Sequence, residues 1–215
     1  MKKKNQMLVF VGASLLVSFV LWTMLVRFID VRAIGPRESS VGFATLNGFV
    51  HNLTGVNMSL YVITDWLGLV PIGVAFAFAI LGLVQWIKRK SLVKVDRNIL
   101  ALGVFYIVVM ALYILFETVV INYRPTLIDG YLEASYPSST TMLVMCVMPT
   151  AMIQLRTRIK NRAFCRCVML VIIVFVVFMV IGRLVSGVHW TTDIIGGALL
   201  SAGLVCMYEA FCICK

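Results

Sequence analysis

Runs of apolar residues long enough to cross a bilayer constrain this chain more than any other feature. A spanning helix needs about 20 apolar residues, and candidate spans run from Met7 to Phe28, Leu67 to Ile87, Asn98 to Ile121, Ser138 to Leu155, Cys167 to Ile181 and Ile194 to Cys214. In a lipid core every backbone amide and carbonyl must be satisfied within the chain. The expected fold is therefore all-α: a six-span transmembrane helical bundle, formed by residues 1–215 as a single domain. Composition agrees, with 61% hydrophobic and 13% charged residues.

The basic residues set the orientation. Lys2 to Lys4, the loops at 88–97 and 156–166, and Lys215 together carry fourteen of the nineteen Lys and Arg residues. Arg27, Arg32, Arg37, Arg124 and Arg183 fall on the opposite side. This asymmetry is what the positive-inside rule expects. It puts both termini in the cytoplasm of a multi-pass protein, with the plasma membrane as the expected location. Basic residues scattered among apolar runs do not form the one-sided patch that nucleic acid requires, so no nucleic-acid partner is expected. The apolar run after Lys4 is too long for a cleaved signal and is read as a retained span. Asp30 to Asp65 is a mixed segment, and its amphipathic portion GFATLNGFVHNL is expected along the interface. His51 within it is read as structural. The six cysteines are read as reduced thiols, with lipid attachment at Cys212 and Cys214 as the alternative.

One stretch, Ile181 to Ala198, reads IGRLVSGVHWTTDIIGGA. It holds Arg183, His189 and Asp193: a permanent cation, an imidazole and a carboxylate, the groups phosphate chemistry would require. If the chain is helical from His189, the histidine and Asp193 share a face one turn apart. The alternative is that Arg183 and His189 snorkel at the interface while Asp193 caps a helix.

The topology brings two more segments to the same membrane face. Arg124-Pro125 follows the third span, and Pro137-Ser138-Ser139-Thr140 opens the fourth. Arginine presents a planar donor fork to tetrahedral oxyanions, and a helix start after proline offers free amides to an anion. Simple capping is the alternative for the serines. Gly196, Gly197, Ser201 and Gly203 in the last span are read as positions of close helix packing.

These three segments resemble the signature motifs of the type 2 phosphatidic acid phosphatase superfamily, integral-membrane relatives of the vanadium haloperoxidases. The family pattern is K-x6-R-P, then P-S-G-H, then S-R-x5-H-x3-D, on a six-helix core with an extracytoplasmic site. The resemblance implies that His189 attacks phosphorus, that Asp193 orients it, and that Arg124, Arg183 and the Ser138 and Ser139 amides hold the phosphoryl oxygens. Three positions differ: Glu117 stands for the lysine, Thr140 for the second histidine and Gly182 for the serine. A carboxylate at a span end costs a few kcal/mol unless paired or protonated, so Glu117 is expected to pair with Arg124 or Arg183, or to stay neutral. Thr140 removes the residue that protonates the leaving group, worth about 10²–10⁴-fold.

The function expected is a lipid phosphatase at the extracytoplasmic face, favouring diphosphates such as a polyprenyl diphosphate, whose leaving phosphate needs little proton help. A lipid phosphotransferase and a non-catalytic lipid-phosphate binder are the alternatives. The expected partners are that substrate and the bilayer. With two distant histidines and no ligand spacing, neither metal nor cofactor is expected.

Overall fold

The computed structural model describes residues 2–213. Cys214, the end of the expected sixth span, and Lys215, counted with the cytoplasmic basic residues, lie outside them. Eight α-helices account for most of those residues: α1 Lys2–Phe28, α2 Ala44–Thr54, α3 Met58–Leu67, α4 Leu69–Arg89, α5 Arg97–Thr118, α6 Ser139–Arg158, α7 Arg162–Val185 and α8 Thr191–Ile213. No strand occurs among the described residues, only isolated bridges such as Tyr123 with Ala134.

Five helical segments are long and apolar enough to cross a membrane: Lys3–Phe28, Met58–Arg89, Arg97–Thr118, Arg162–Val185 and Thr191–Ile213. The second differs from the sequence expectation, since it begins nine residues before Leu67. Asn57 starts it by accepting a hydrogen bond from Leu60 N at 2.9 Å, and α3 runs into α4 at Gly68, whose φ of −60° and ψ of −19° remain helical. The mixed segment therefore ends at Asn57, and Asp65 sits inside a helix. α7 is likewise longer than expected, because the Asn161 carboxamide caps it through Ala163 N and Phe164 N. That places Arg162 and Arg166 in its first turns.

α6 is not among the five apolar segments, and its position explains why. It packs against α4, α5, α7 and α8, with Thr141, Met142, Val144, Cys146, Thr150 and Gln154 all buried. Two of its polar side chains are answered by neighbouring helices: Thr150 Oγ1 meets Tyr106 OH at 3.2 Å, and Gln154 bonds Tyr208. It needs no lipid-facing apolar surface.

α1 packs most extensively on α8. At their crossing a Cβ on Gly203 would lie 2.9 Å from Leu16, and at the α8 end nearer the site one on Gly196 would lie 2.7 Å from the Tyr136 ring. Absent side chains there let the elements meet. α2 reaches the start of α8 through Asn47, whose carboxamide donates to Thr192 Oγ1 at 3.0 Å and accepts from Thr192 N at 3.3 Å. The five described cysteines are free thiols.

Candidate active site

The chain turns sharply between α7 and α8. Gly187 sits at φ +68°, and a Cβ there would fall 1.9 Å from Gly55 O, so only glycine fits. α8 then starts at Thr191, and His189 precedes the helix rather than riding on its first turn. Asp193 reaches back to accept the Trp190 amide at 2.9 Å, a capping interaction that satisfies one of the free donors of the helix start. His189 Nδ1 lies 3.8 Å from Asp193 Oδ2. The two are neighbours, but too far apart for a direct hydrogen bond.

Ser135 fills that gap. Its Oγ donates to Asp193 Oδ2 and lies 3.3 Å from His189 Nδ1. Asn122 holds the other carboxylate oxygen at 3.5 Å, and Ser135 N donates to Asn122 O at 2.9 Å. Sequence reasoning did not single out Ser135 or Asn122. Both belong to the loop 119–138, whose path is set by pairing of Arg124 N with Glu133 O at 3.0 Å. The one local signal was a small polar residue two places before Pro137.

Ser138 is fully buried and occupied. Its amide donates to Asp193 O at 3.1 Å, and its hydroxyl accepts from Thr141 N as the cap of α6. The free amides of the first turn are therefore those of Ser139 and Thr140.

Arg124 contacts the histidine from the other side, with Nη1 3.3 Å from His189 Nε2 and Nε 3.0 Å from Glu133 Oε2. Arg183 is 1% exposed. It lies 3.6 Å from Asp65 Oδ1, donates to Thr64 Oγ1 at 3.4 Å and stacks over the Tyr61 ring at 4.9 Å. Both guanidinium Nε groups are buried without a well-directed hydrogen bond; the Arg124–Glu133 contact is close enough for an ion pair but poorly aligned. Glu117 pairs with neither arginine, which removes the first of the two arrangements expected for it. Glu133 and Asp65 have taken those partners, and Glu117 is exposed and forms no ion pair among the described residues.

Arg124, Arg183, Ser139, Thr140, Glu117, Asp65 and Glu133 line a polar cleft of about 530 Å³. His189, 3% exposed, lies behind Arg124. The cleft shares Asp65, Tyr113, Ser139 and Thr140 with an apolar groove of about 640 Å³ between α4, α5 and α6, lined by Leu69, Ile72, Phe76, Val109, Met110 and Leu143. Burial, reinforced by the Arg124 and Arg183 cations, holds the His189 imidazole well below its usual range. It is neutral at neutral pH, the form that carries a nucleophilic lone pair. Among the described residues no three His, Cys, Asp or Glu side chains converge as metal ligands would.

No curated protein matches the chain. Among solved structures, the fold is similar to that of a transmembrane PAP2-type phosphatidylglycerolphosphate phosphatase from Bacillus subtilis, with 22% identity, a TM-score of 0.50 and 94% of each chain covered. Residues 117–211 match the PAP2 superfamily. That segment contains Arg124, Ser135, Arg183, His189 and Asp193, and it is over these residues that the chain is similar to the PAP2 superfamily.

Proposed function

We propose that this protein is a lipid phosphatase in which His189 Nε2 is the nucleophile. The observation that carries the reading is the histidine itself: buried, neutral, with one nitrogen facing a carboxylate through Ser135 and the other facing Arg124. Attack by Nε2 forms the P–N bond as the P–O bond to the leaving group breaks. Water then attacks phosphorus, and the P–N electron pair returns to Nε2. Arg124, Arg183 and the Ser139 and Thr140 amides hold the phosphoryl oxygens, with Ser138 acting as the cap that aims them. Because Arg124 covers Nε2, phosphate must draw the guanidinium off the nitrogen before attack.

The apolar groove that meets the cleft favours a substrate with a hydrocarbon tail. α6 is the sixth crossing in this reading, the termini face the cytoplasm and the cleft opens at the extracytoplasmic side of the plasma membrane, as the charge distribution favours. Thr140 cannot protonate a leaving alkoxide, so lipid diphosphates are the preferred substrates. The test is phosphate release by purified protein from phosphatidate and from a polyprenyl diphosphate. Faster release from the diphosphate is expected, and faster release from phosphatidate contradicts the preference. Thr140→His is expected to raise monoester turnover, and an unchanged rate would mean that residue 140 is not the acid position. Glu117 and Thr140 also favour a second reading, a non-catalytic lipid-phosphate binder, for which neither substrate would release phosphate.

A further inference from the structure

Resting on that reading of His189, we infer that Ser135 is a positioning residue that joins His189 to Asp193 in a three-member relay and fixes which imidazole nitrogen is free to attack. The reasoning follows the protons. A serine hydroxyl has one proton to donate and lone pairs to accept with. Ser135 gives its proton to Asp193 Oδ2. Towards His189 Nδ1, 3.3 Å away, it can then act only as acceptor, so Nδ1 must carry the hydrogen.

The opposite side of the ring requires the same arrangement independently. A guanidinium has donors and no acceptor, so the nitrogen facing Arg124 Nη1 at 3.3 Å must be the bare one. Both ends of the ring therefore specify the tautomer with Nδ1 protonated and Nε2 unprotonated. Asp193 cannot do this alone, because the 3.8 Å that separates it from Nδ1 is beyond hydrogen-bond reach. Ser135 is itself held, being 2% exposed with its amide on Asn122 O at 2.9 Å.

The relay matters at the covalent step. Nε2 has no proton to lose when the P–N bond forms, and the ring gains positive charge that Nδ1–H shares with Ser135 and, through it, with Asp193. When water attacks, both of its protons leave on the phosphate and His189 returns in the tautomer it began with.

The chain has two histidines, so nitrogen NMR of ¹⁵N-histidine-labelled protein in detergent micelles resolves both, with His51→Gln assigning the pair. Wild type is expected to show His189 protonated at Nδ1 and bare at Nε2. Because Arg124 constrains the ring independently, the Ser135 variants are compared in Arg124→Gln protein, where Ser135→Ala is expected to raise the Nε2-protonated population and Ser135→Thr to leave it at the parent level. Should Ser135→Ala fail to fold, Ser135→Cys, a weak acceptor, is expected to shift the population the same way. An Nε2-protonated wild type, or a Ser135 variant lacking the hydroxyl that keeps the tautomer of its Arg124→Gln parent, overturns the relay. In the paired turnover assay Ser135→Ala should lower kcat by about 10–100-fold, the size of loss seen when the partner orienting a metal-ligating histidine is removed, with KM within about twofold. A wild-type protein with the expected tautomer but no turnover on any lipid phosphate overturns the phosphatase reading and leaves the relay standing.

Discussion

The two arginines of the cleft are each already engaged by a carboxylate. Glu133 and Asp65 have side chains 42% and 59% exposed, so they sit on the rim and can swing away, whereas the guanidiniums they hold are buried. Under the proposed function a lipid phosphate would compete with these carboxylates for the same cations. Glu133→Gln and Asp65→Asn are therefore expected to lower KM by about 3–10-fold, as expected when a charged hydrogen-bonding competitor of modest net strength is removed; a raised KM in steady-state assays would mean the carboxylates position the arginines instead. A second expectation concerns proton affinity. Because burial first and then Arg124 and Arg183 hold the His189 imidazole down, the folded protein leaves it neutral at pH values where an unfolded chain, with a histidine of about 6.5, takes up a proton. Stability contributed by the neutral ring is thus present above about pH 6.5 and is lost as pH falls below it. Arg124→Gln removes one of the depressing cations and is expected to move the His189 titration midpoint, read by nitrogen NMR, to higher pH. A midpoint that stays or falls would remove Arg124 from the causes and leave the depression to burial and Arg183.

At the scale of helices, what the sequence made legible follows from which partners a residue meets. The lipid-facing helices α1, α4, α5 and α7 announce themselves because lipid demands unbroken apolar surface. α6 is harder to recognise by hydropathy because its neighbours are protein, and polar Thr150 and Gln154 are tolerated inside the bundle. The start of the second crossing at Met58 was missed because Asp65 looked like an end to the apolar run; its partner Arg183, 118 positions later, is visible only in three dimensions. The same reason hid Ser135 and Asn122, whose roles depend on a loop folding against the start of α8. That Arg124, Arg183 and Asp193 lie near His189 was legible because their spacing resembles the family pattern, whereas of the two arrangements expected for Glu117 the pairing with an arginine does not form. Glycine positions in α8 give a direct check on this packing. Gly196→Ala places a methyl carbon 2.7 Å from the Tyr136 ring, and that ring is fixed by stacking on Phe19 and by a 2.7 Å hydrogen bond to Thr23. The expected cost is about 1–3 kcal/mol, seen as a lowered Tm in detergent, with turnover reduced because Ser135 is the next residue along; an unchanged Tm would show that Tyr136 can yield.

For the whole molecule, the account ties a charge pattern, a bundle and a site into one arrangement: a polar cleft at one end of the helices, continuous with an apolar groove, above a neutral histidine shielded by an arginine. The proposed phosphoryl-transfer site would use all of them at once. The central claim is that His189 becomes phosphorylated. Brief exposure of purified protein to a polyprenyl diphosphate labelled in its terminal phosphate, followed by denaturing quench at alkaline pH, measures it directly. Acid-labile, base-stable label on wild type and none on His189→Ala is the result expected; label retained by His189→Ala, or phosphate released by wild type at the same rate as by that variant, would contradict it.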